Sequence, residues 1–233
     1  MAEPNLELLA RVAAALGELR EQVTFVGGCA TALLITDPAA DPVRATQDVD
    51  AVAAVVSLAA YRKLGAALRV KGFSQTLAKG EPPYRWTNSG MTLDLMPVDA
   101  RVLGFANRWY GEVVKSAVRA TVGAGIGIRV ASAPCFLATK LEAFHDRGGG
   151  DYLASHDLED VLSVVDGRAE LADELARAAP ELRAFVAETL ARLLADERFV
   201  NALPGLVMQG SPADRTPIVL QRLRAMAQKN IRA

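Results

Sequence analysis

The 233-residue chain is poor in cysteine, histidine and aromatic side chains: Cys 2, His 2 and 6% aromatic. Cys29 and Cys135 alone cannot build a disulfide framework, and neither His145 nor His156 makes a metal-ligand spacing with them. An excess of either charge is also missing. Lys+Arg 26 against Asp+Glu 27 leaves a net charge of −1, which excludes wrapping nucleic acid by bulk charge but leaves a local basic patch open. Uncharged runs stop at about a dozen residues, whereas crossing a bilayer takes roughly 20. The opening MAEPNLELLA lacks the basic and apolar regions of a secretion signal. These absences predict a soluble, cytoplasmic protein with no membrane partner. What is present is apolar bulk, 51% of residues, in a chain long enough to bury roughly 70% of its unfolded surface.

The hydrophobic period changes near residue 131. Leu6, Leu9, Val12, Ala13, Leu16 and Leu19 recur at helical spacing. VTFVGG (23–28) is a short β-rich run closed by two glycines, and 29–35 has the Ala/Leu content of a helix. TDPAADPV (36–43) is a loop by its prolines and aspartates. Strands are predicted over 46–55, 72–77, 84–88 and 91–99, with N-S-G at 88–90 as a hairpin turn, and a helix over 57–72 capped by Ser57. RWYGEVVKSAV (108–118) reads as a helix and GAGIGIRV (123–130) as one strand entered by a glycine turn; it lacks the Lys-Ser/Thr of a Walker-type phosphate loop. Helices follow over 133–146, 155–166, 169–178, 180–195 and 216–230. The expectation is an α+β (α/β) protein. Residues 1–130 would form a small mixed sheet with flanking helices, and 131–233 a C-terminal helical bundle.

The chemistry concentrates in the first part. Asp48 and Asp50 stand two apart in a strand, so both leave the same face roughly 6.6 Å apart. Paired carboxylates repel unless a cation lies between them, and Mg²⁺ takes such hard oxygen ligands. Upstream, Gly27-Gly28 ends a strand and opens a helix, where free N–H groups attract an anion. A phosphate cradle followed by a metal pair suits nucleotide chemistry; a tight turn plus two solvated acids is the plainer alternative. Asp94, in the apolar strand MTLDLMPVD, would supply a third acid, and Asp99 beyond Pro97 ranks below it. Cys29 at a helix start invites a lowered pKa, against simple small-residue packing. Arg44 would approach phosphate or pair with a nearby acid. Arg85 and Trp86 would stack on a base or hold phosphate, or be edge-strand packing.

Together, V-G-G…R-x-T-x-D-x-D and the strand with L-D-L-M-P resemble the DNA polymerase beta-like nucleotidyltransferase superfamily. Within it the chain is similar to the AbiEii/MenT-type toxin nucleotidyltransferases, a likeness strengthened by FLATKLEAFHDRGGGDYLASHDLEDVLSVVDGR. The resemblance implies that Gly27 and Gly28 flank the triphosphate of an NTP and that Asp48, Asp50 and Asp94 bind Mg²⁺ or Mn²⁺ and carry catalysis. It implies that Lys140 reaches the nucleotide phosphates and that Asp157 or Asp160 lines the pocket; read from its own residues, Arg147 with the glycines after it makes a loop that would close over substrate. Two features depart from the pattern: Cys29 replaces a common serine, and TDPAADPV lengthens the gap before Asp48. On its own terms, Lys140 lies on a mostly apolar helix and would either reach inward or snorkel to solvent. Arg147 precedes three glycines, which suits a plain linker equally, and Asp157 with Asp160 falls at i, i+3 behind a Ser155 cap. Terminal Arg222, Arg224, Lys229 and Arg232 would touch RNA or form a solvated face.

The implied activity is metal-dependent transfer of NMP from an NTP to an acceptor hydroxyl. A tRNA 3′ end is one acceptor, with the chain acting as the toxin beside a cognate antitoxin protein. A small hydroxylated molecule such as an antibiotic is an alternative that the near-neutral charge favours. A catalytically silent regulator that binds nucleotide or a partner is the third.

Overall fold

Proline at the first helical turn, a Glu3 side chain accepting the Leu6 amide at 2.8 Å, and apolar residues at helical spacing start and orient α1, Pro4–Leu16. Its buried stripe is Leu9, Val12, Ala13 and Leu16. The computed structural model describes residues 3–75, 80–147, 151–207 and 214–228. They divide into two compact units, one of 1–33 with 44–132, the other of 34–43 with 133–233.

The first unit holds a mixed six-stranded sheet. Its strands are β1 Val23–Val26, β2 Asp48–Ala53, β3 Arg85–Asn88, β4 Met91–Pro97, β5 Val118–Val122 and β6 Ile126–Val130, in the order β3-β4-β2-β1-β6-β5. β2 runs parallel to β4 and β1 parallel to β6; the other neighbours are antiparallel. The two-residue period sorts the faces. Phe25, Val49, Ala51, Ala53, Leu93, Leu95 and Trp86 join one core cluster with α1 and with Leu64 and Leu68 of α2, Leu58–Val70. Trp86 fits so closely that a β-carbon on Gly65 would lie 2.9 Å from its ring. The opposite face of the sheet carries Asp48, Asp50 and Val52 on β2, and Thr92, Asp94 and Met96 on β4. Of the two short helices that follow, α3, Ala100–Leu103, contacts β4, and α4, Tyr110–Lys115, contacts β1 and β2.

The β3–β4 hairpin closes at Ser89-Gly90, both with positive φ, the two-residue turn that matches sheet twist. Several segments differ from expectation. The helix expected over 108–118 is the shorter α4, and Val118 instead opens β5, because Gly123 and Gly125 at positive φ turn the chain and the β-branched Val118, Thr121 and Val122 favour extension. As an exposed edge strand it buries only Val122 and shows no alternation to read. Residues 28–34 make a short 3₁₀ helix, not an α-helix. In the expected strand 72–77, Ser74 makes an isolated bridge to Thr87, while 76–77 lie outside the described residues.

The second unit is helical: α5 Ala133–Asp146, α6 His156–Gly167, α7 Leu171–Arg177, α8 Pro180–Ala195, α9 Glu197–Val207 and α10 Thr216–Gln228. Residues 229–230 of the helix expected to end there lie outside the described residues, as do Lys229 and Arg232. α9 has no counterpart in the expectation; Pro204 and Gly205 hide it in sequence, while Phe199, Leu203 and Leu206 form its buried face. The loop 36–43 is built into this unit. Thr36 and Asp37 amides donate to Gly167 O at 2.8 and 2.9 Å, and Arg215 clamps Asp37 and Asp166 at 2.8 Å each. Among the described residues no helix is long and apolar enough to cross a membrane. The α+β class with a mixed sheet is as expected.

Candidate functional site

Parallel pairing sets Asp50 of β2 directly beside Asp94 of β4, with Asp48 one pleat repeat away on the same face. Three carboxylates on one face of neighbouring strands repel one another, and Asp94, with 7% of its side chain exposed, has little water to screen it. The antiparallel β3–β4 register solves this by pairing Arg85 with Asp94. Arg85 Nε donates to Asp94 Oδ1 at 2.8 Å and Nη2 to Oδ2 at 2.7 Å, a two-pronged fork. Nη2 also reaches Asp48 Oδ2 at 3.3 Å. The Asp94 carboxylate holds this guanidinium more firmly charged than an ordinary arginine.

Gly27 follows Val26, the register partner of Asp50. Its φ of +72° is a conformation side chains rarely adopt, and a β-carbon there would meet Asp50 Oδ2 at 2.0 Å. Gly28 opens the 3₁₀ helix Gly28–Leu34, so Gly27-Gly28 does stand between a strand and a helix, the helix being 3₁₀. Cys29 turns into the core, its Sγ–H donating to Asn5 O at 3.1 Å, and burial pushes the thiol up to about 12. The lowered pKa considered for it is overturned by that desolvation. Asp99 caps α3 and pairs with Arg101, away from the acid strands' register.

Two participants carry weak sequence signals. Arg85 is masked by its neighbour Trp86, whose buried ring accounts for the strand without it. Asn5 is fully buried at the start of α1, and its Nδ2 donates to Arg44 O at 2.8 Å while its Oδ1 accepts from Thr46 N at 2.9 Å. It therefore fixes the lead into the D-x-D strand, and nothing in its local sequence marks it.

Within the second unit, Lys140 of α5 faces the first turn of α6. Its Nζ lies 3.2 Å from Asp157 Oδ1 and 2.6 Å from Asp160 Oδ2, and Arg147 Nη1 is 2.6 Å from Asp157 Oδ2. Both acids are buried, and Ser155 caps the helix by accepting from Leu158 N. The ammonium thus points inward and does not snorkel. Gly148–Gly150 lie outside the described residues.

The donor chemistry of Asp48, Asp50 and Asp94 fits a divalent cation: hard carboxylate oxygens on one face, with a guanidinium standing in as the cation on two of them. Among the described residues, no three His, Cys, Asp or Glu side chains are already grouped to hold a metal, and both Asp94 oxygens are taken by Arg85.

No family model matches the chain, and no curated protein matches it in sequence. Among solved structures it is similar to an antigenic nucleotidyltransferase-like protein from Paracoccidioides brasiliensis, with 21% identity, a TM-score of 0.51, and coverage of 86% of this chain and 92% of that one. The fold is similar to that of a nucleotidyltransferase-like protein. The antibiotic-resistance factor ANT(2'')-Ia gives 17% identity over 84% of this chain and 96% of its own, with a TM-score of 0.48. The same factor with adenylyl-2''-tobramycin gives 16% identity over 80% and 97%, with a TM-score of 0.45.

Proposed function

We propose that the chain is a metal-dependent nucleotidyltransferase of the AbiEii/MenT type, moving NMP from an NTP to an acceptor hydroxyl. The observation that carries this reading is the in-register pair Asp50–Asp94 with Asp48 on the same face and Gly27 pressed against Asp50. In this reading Asp48, Asp50 and Asp94 hold Mg²⁺ or Mn²⁺, which when bound neutralises triphosphate charge and polarises the transferring phosphoryl group. Gly27 leaves room for the Asp50 carboxylate, Gly27 and Gly28 flank the triphosphate, and Asp94 takes the proton of the acceptor hydroxyl. That oxygen forms a bond to the α-phosphorus, the α–β bond breaks, and pyrophosphate leaves with the electron pair. Lys140 and Arg147 bind nucleotide phosphate, with Asp157 and Asp160 setting the position of Lys140.

The resemblance directs the acceptor reading to a tRNA 3′ end, with a cognate antitoxin protein as partner and a cytoplasmic setting. A small hydroxylated acceptor is the second reading, favoured by a net charge of −1, since RNA-acting surfaces are commonly basic. The test incubates purified protein with Mg²⁺ or Mn²⁺, α-labelled NTPs, total tRNA and a panel of aminoglycosides. Label on RNA that vanishes in Asp48→Asn supports the toxin reading; label only on small molecules supports the second. Nucleotide binding without transfer under every condition would instead indicate a silent regulator.

A further inference from the structure

We infer that Arg85 is an exchangeable counter-cation: it competes with the divalent metal for Asp94 and Asp48, and gives them up when metal and triphosphate arrive together. The inference rests on the nucleotidyltransferase reading but concerns a residue that reading does not use. The Arg85 guanidinium sits on oxygens a metal would need, both of Asp94 at 2.8 and 2.7 Å and one of Asp48 at 3.3 Å. A metal bound to those same oxygens would stand within a few ångströms of a like charge, so the two cations exclude each other.

The geometry also lets Arg85 leave. Its side chain is 37% exposed, against 7% for Asp94, so the guanidinium lies on the solvent side of Asp94 and is not walled in behind it. Its base is fixed by β3, where Trp86 is buried and Thr87 pairs with Thr92, so departure is a side-chain movement and not a strand movement. Once free, a guanidinium presents a planar donor fork that suits phosphate oxygens as well as carboxylate oxygens. A triphosphate therefore supplies new partners for Arg85 at the moment the metal takes its old ones. Metal alone has to displace the fork without that compensation, so metal binding and nucleotide binding become coupled. Arg85 thus has two sets of partners in turn, the acids before metal and nucleotide bind and the triphosphate afterwards.

Manganese titration followed by electron paramagnetic resonance reads the competition without turnover. Wild type, Arg85→Gln, Arg85→Lys and Asp48→Asn are titrated with Mn²⁺ alone and with Mn²⁺ plus α,β-methylene-ATP. Arg85→Gln binds Mn²⁺ alone about tenfold or more tightly than wild type, Arg85→Lys lies between them, and the nucleotide analogue removes the difference. Should Arg85→Gln fail to fold by circular dichroism, Arg85→Lys decides alone, with tighter Mn²⁺ binding expected. Folded Arg85 variants that bind Mn²⁺ equally or more weakly than wild type overturn the inference, as does an advantage that persists undiminished with the analogue. If Asp48→Asn still loses Mn²⁺ in that case, the nucleotidyltransferase reading stands without the Arg85 role. If no protein binds Mn²⁺ with or without the analogue, both fall.

Discussion

The Asp50 carboxylate oxygen Oδ2 lies 2.0 Å from where a β-carbon on Gly27 would sit, so the acid occupies the volume that any side chain there would need. The clash extends to Asp50 Cγ and Cβ at 2.7 and 2.9 Å, so a rotation of the carboxylate alone cannot relieve it. Gly27→Ala therefore displaces Asp50 and strains a backbone at φ +72°. The expected outcome is loss of roughly 1–3 kcal/mol of stability from the strain and a fall of about 10²-fold or more in transfer rate from a misplaced ligand. Urea unfolding and pyrophosphate release on the same variant check the two effects separately.

Lys140 and Arg147 both contact Asp157, yet their environments predict different costs. Lys140 is 14% exposed and joins two buried acids, so Lys140→Met takes a cation from both at once and costs about 3–5 kcal/mol. Arg147 is 73% exposed, and Arg147→Met costs at most about 1 kcal/mol. Thermal unfolding of the two variants tests this order; equal losses would contradict it.

Burial raises the Cys29 thiol from 9.0 to about 12. A group held protonated by the fold contributes stability below its unfolded pKa, and that contribution is lost as pH rises from 9 towards 12. Stability should fall by on the order of 1 kcal/mol per pH unit above 9 in wild type, and less in Cys29→Ala. Chemical unfolding at pH 8 and pH 10 measures the difference. Native protein at pH 8 should also resist alkylation at Cys29, and unfolded protein should not.

Arg215 joins Asp166 and Asp37, fastening the 36–43 loop to the second unit. Arg215→Met leaves the buried Asp166 without its guanidinium and should cost about 3 kcal/mol. Limited proteolysis should then cut within 36–43, where wild type resists. Cleavage at equal rates in both proteins would contradict the fastening.

How much of this was legible in the sequence depends on range. That Asp48 and Asp50 share a face follows from the two-residue period of one strand, and the N-S-G turn announces the β3–β4 hairpin. The pairing of Arg85 with Asp94 depends on which residue of that hairpin faces which, and it was obscured by Trp86, whose bulk already explained the strand. Asn5 acts across 39 residues of chain on Arg44, a contact that no local pattern encodes. β5 is an edge strand with only Val122 buried, so tertiary pairing decides it without alternation. The 36–43 loop looks like an insertion because its partners, Gly167 and Arg215, lie far along the chain.

Pyrophosphate release from NTP, measured in wild type and in Asp48→Asn, Asp50→Asn and Asp94→Asn with a responsive acceptor, tests the role of the acid face most directly. The account predicts acceptor-dependent release in wild type and a drop of at least about 10³-fold in each variant at unchanged folding. Release that continues at the wild-type rate after all three substitutions would contradict it.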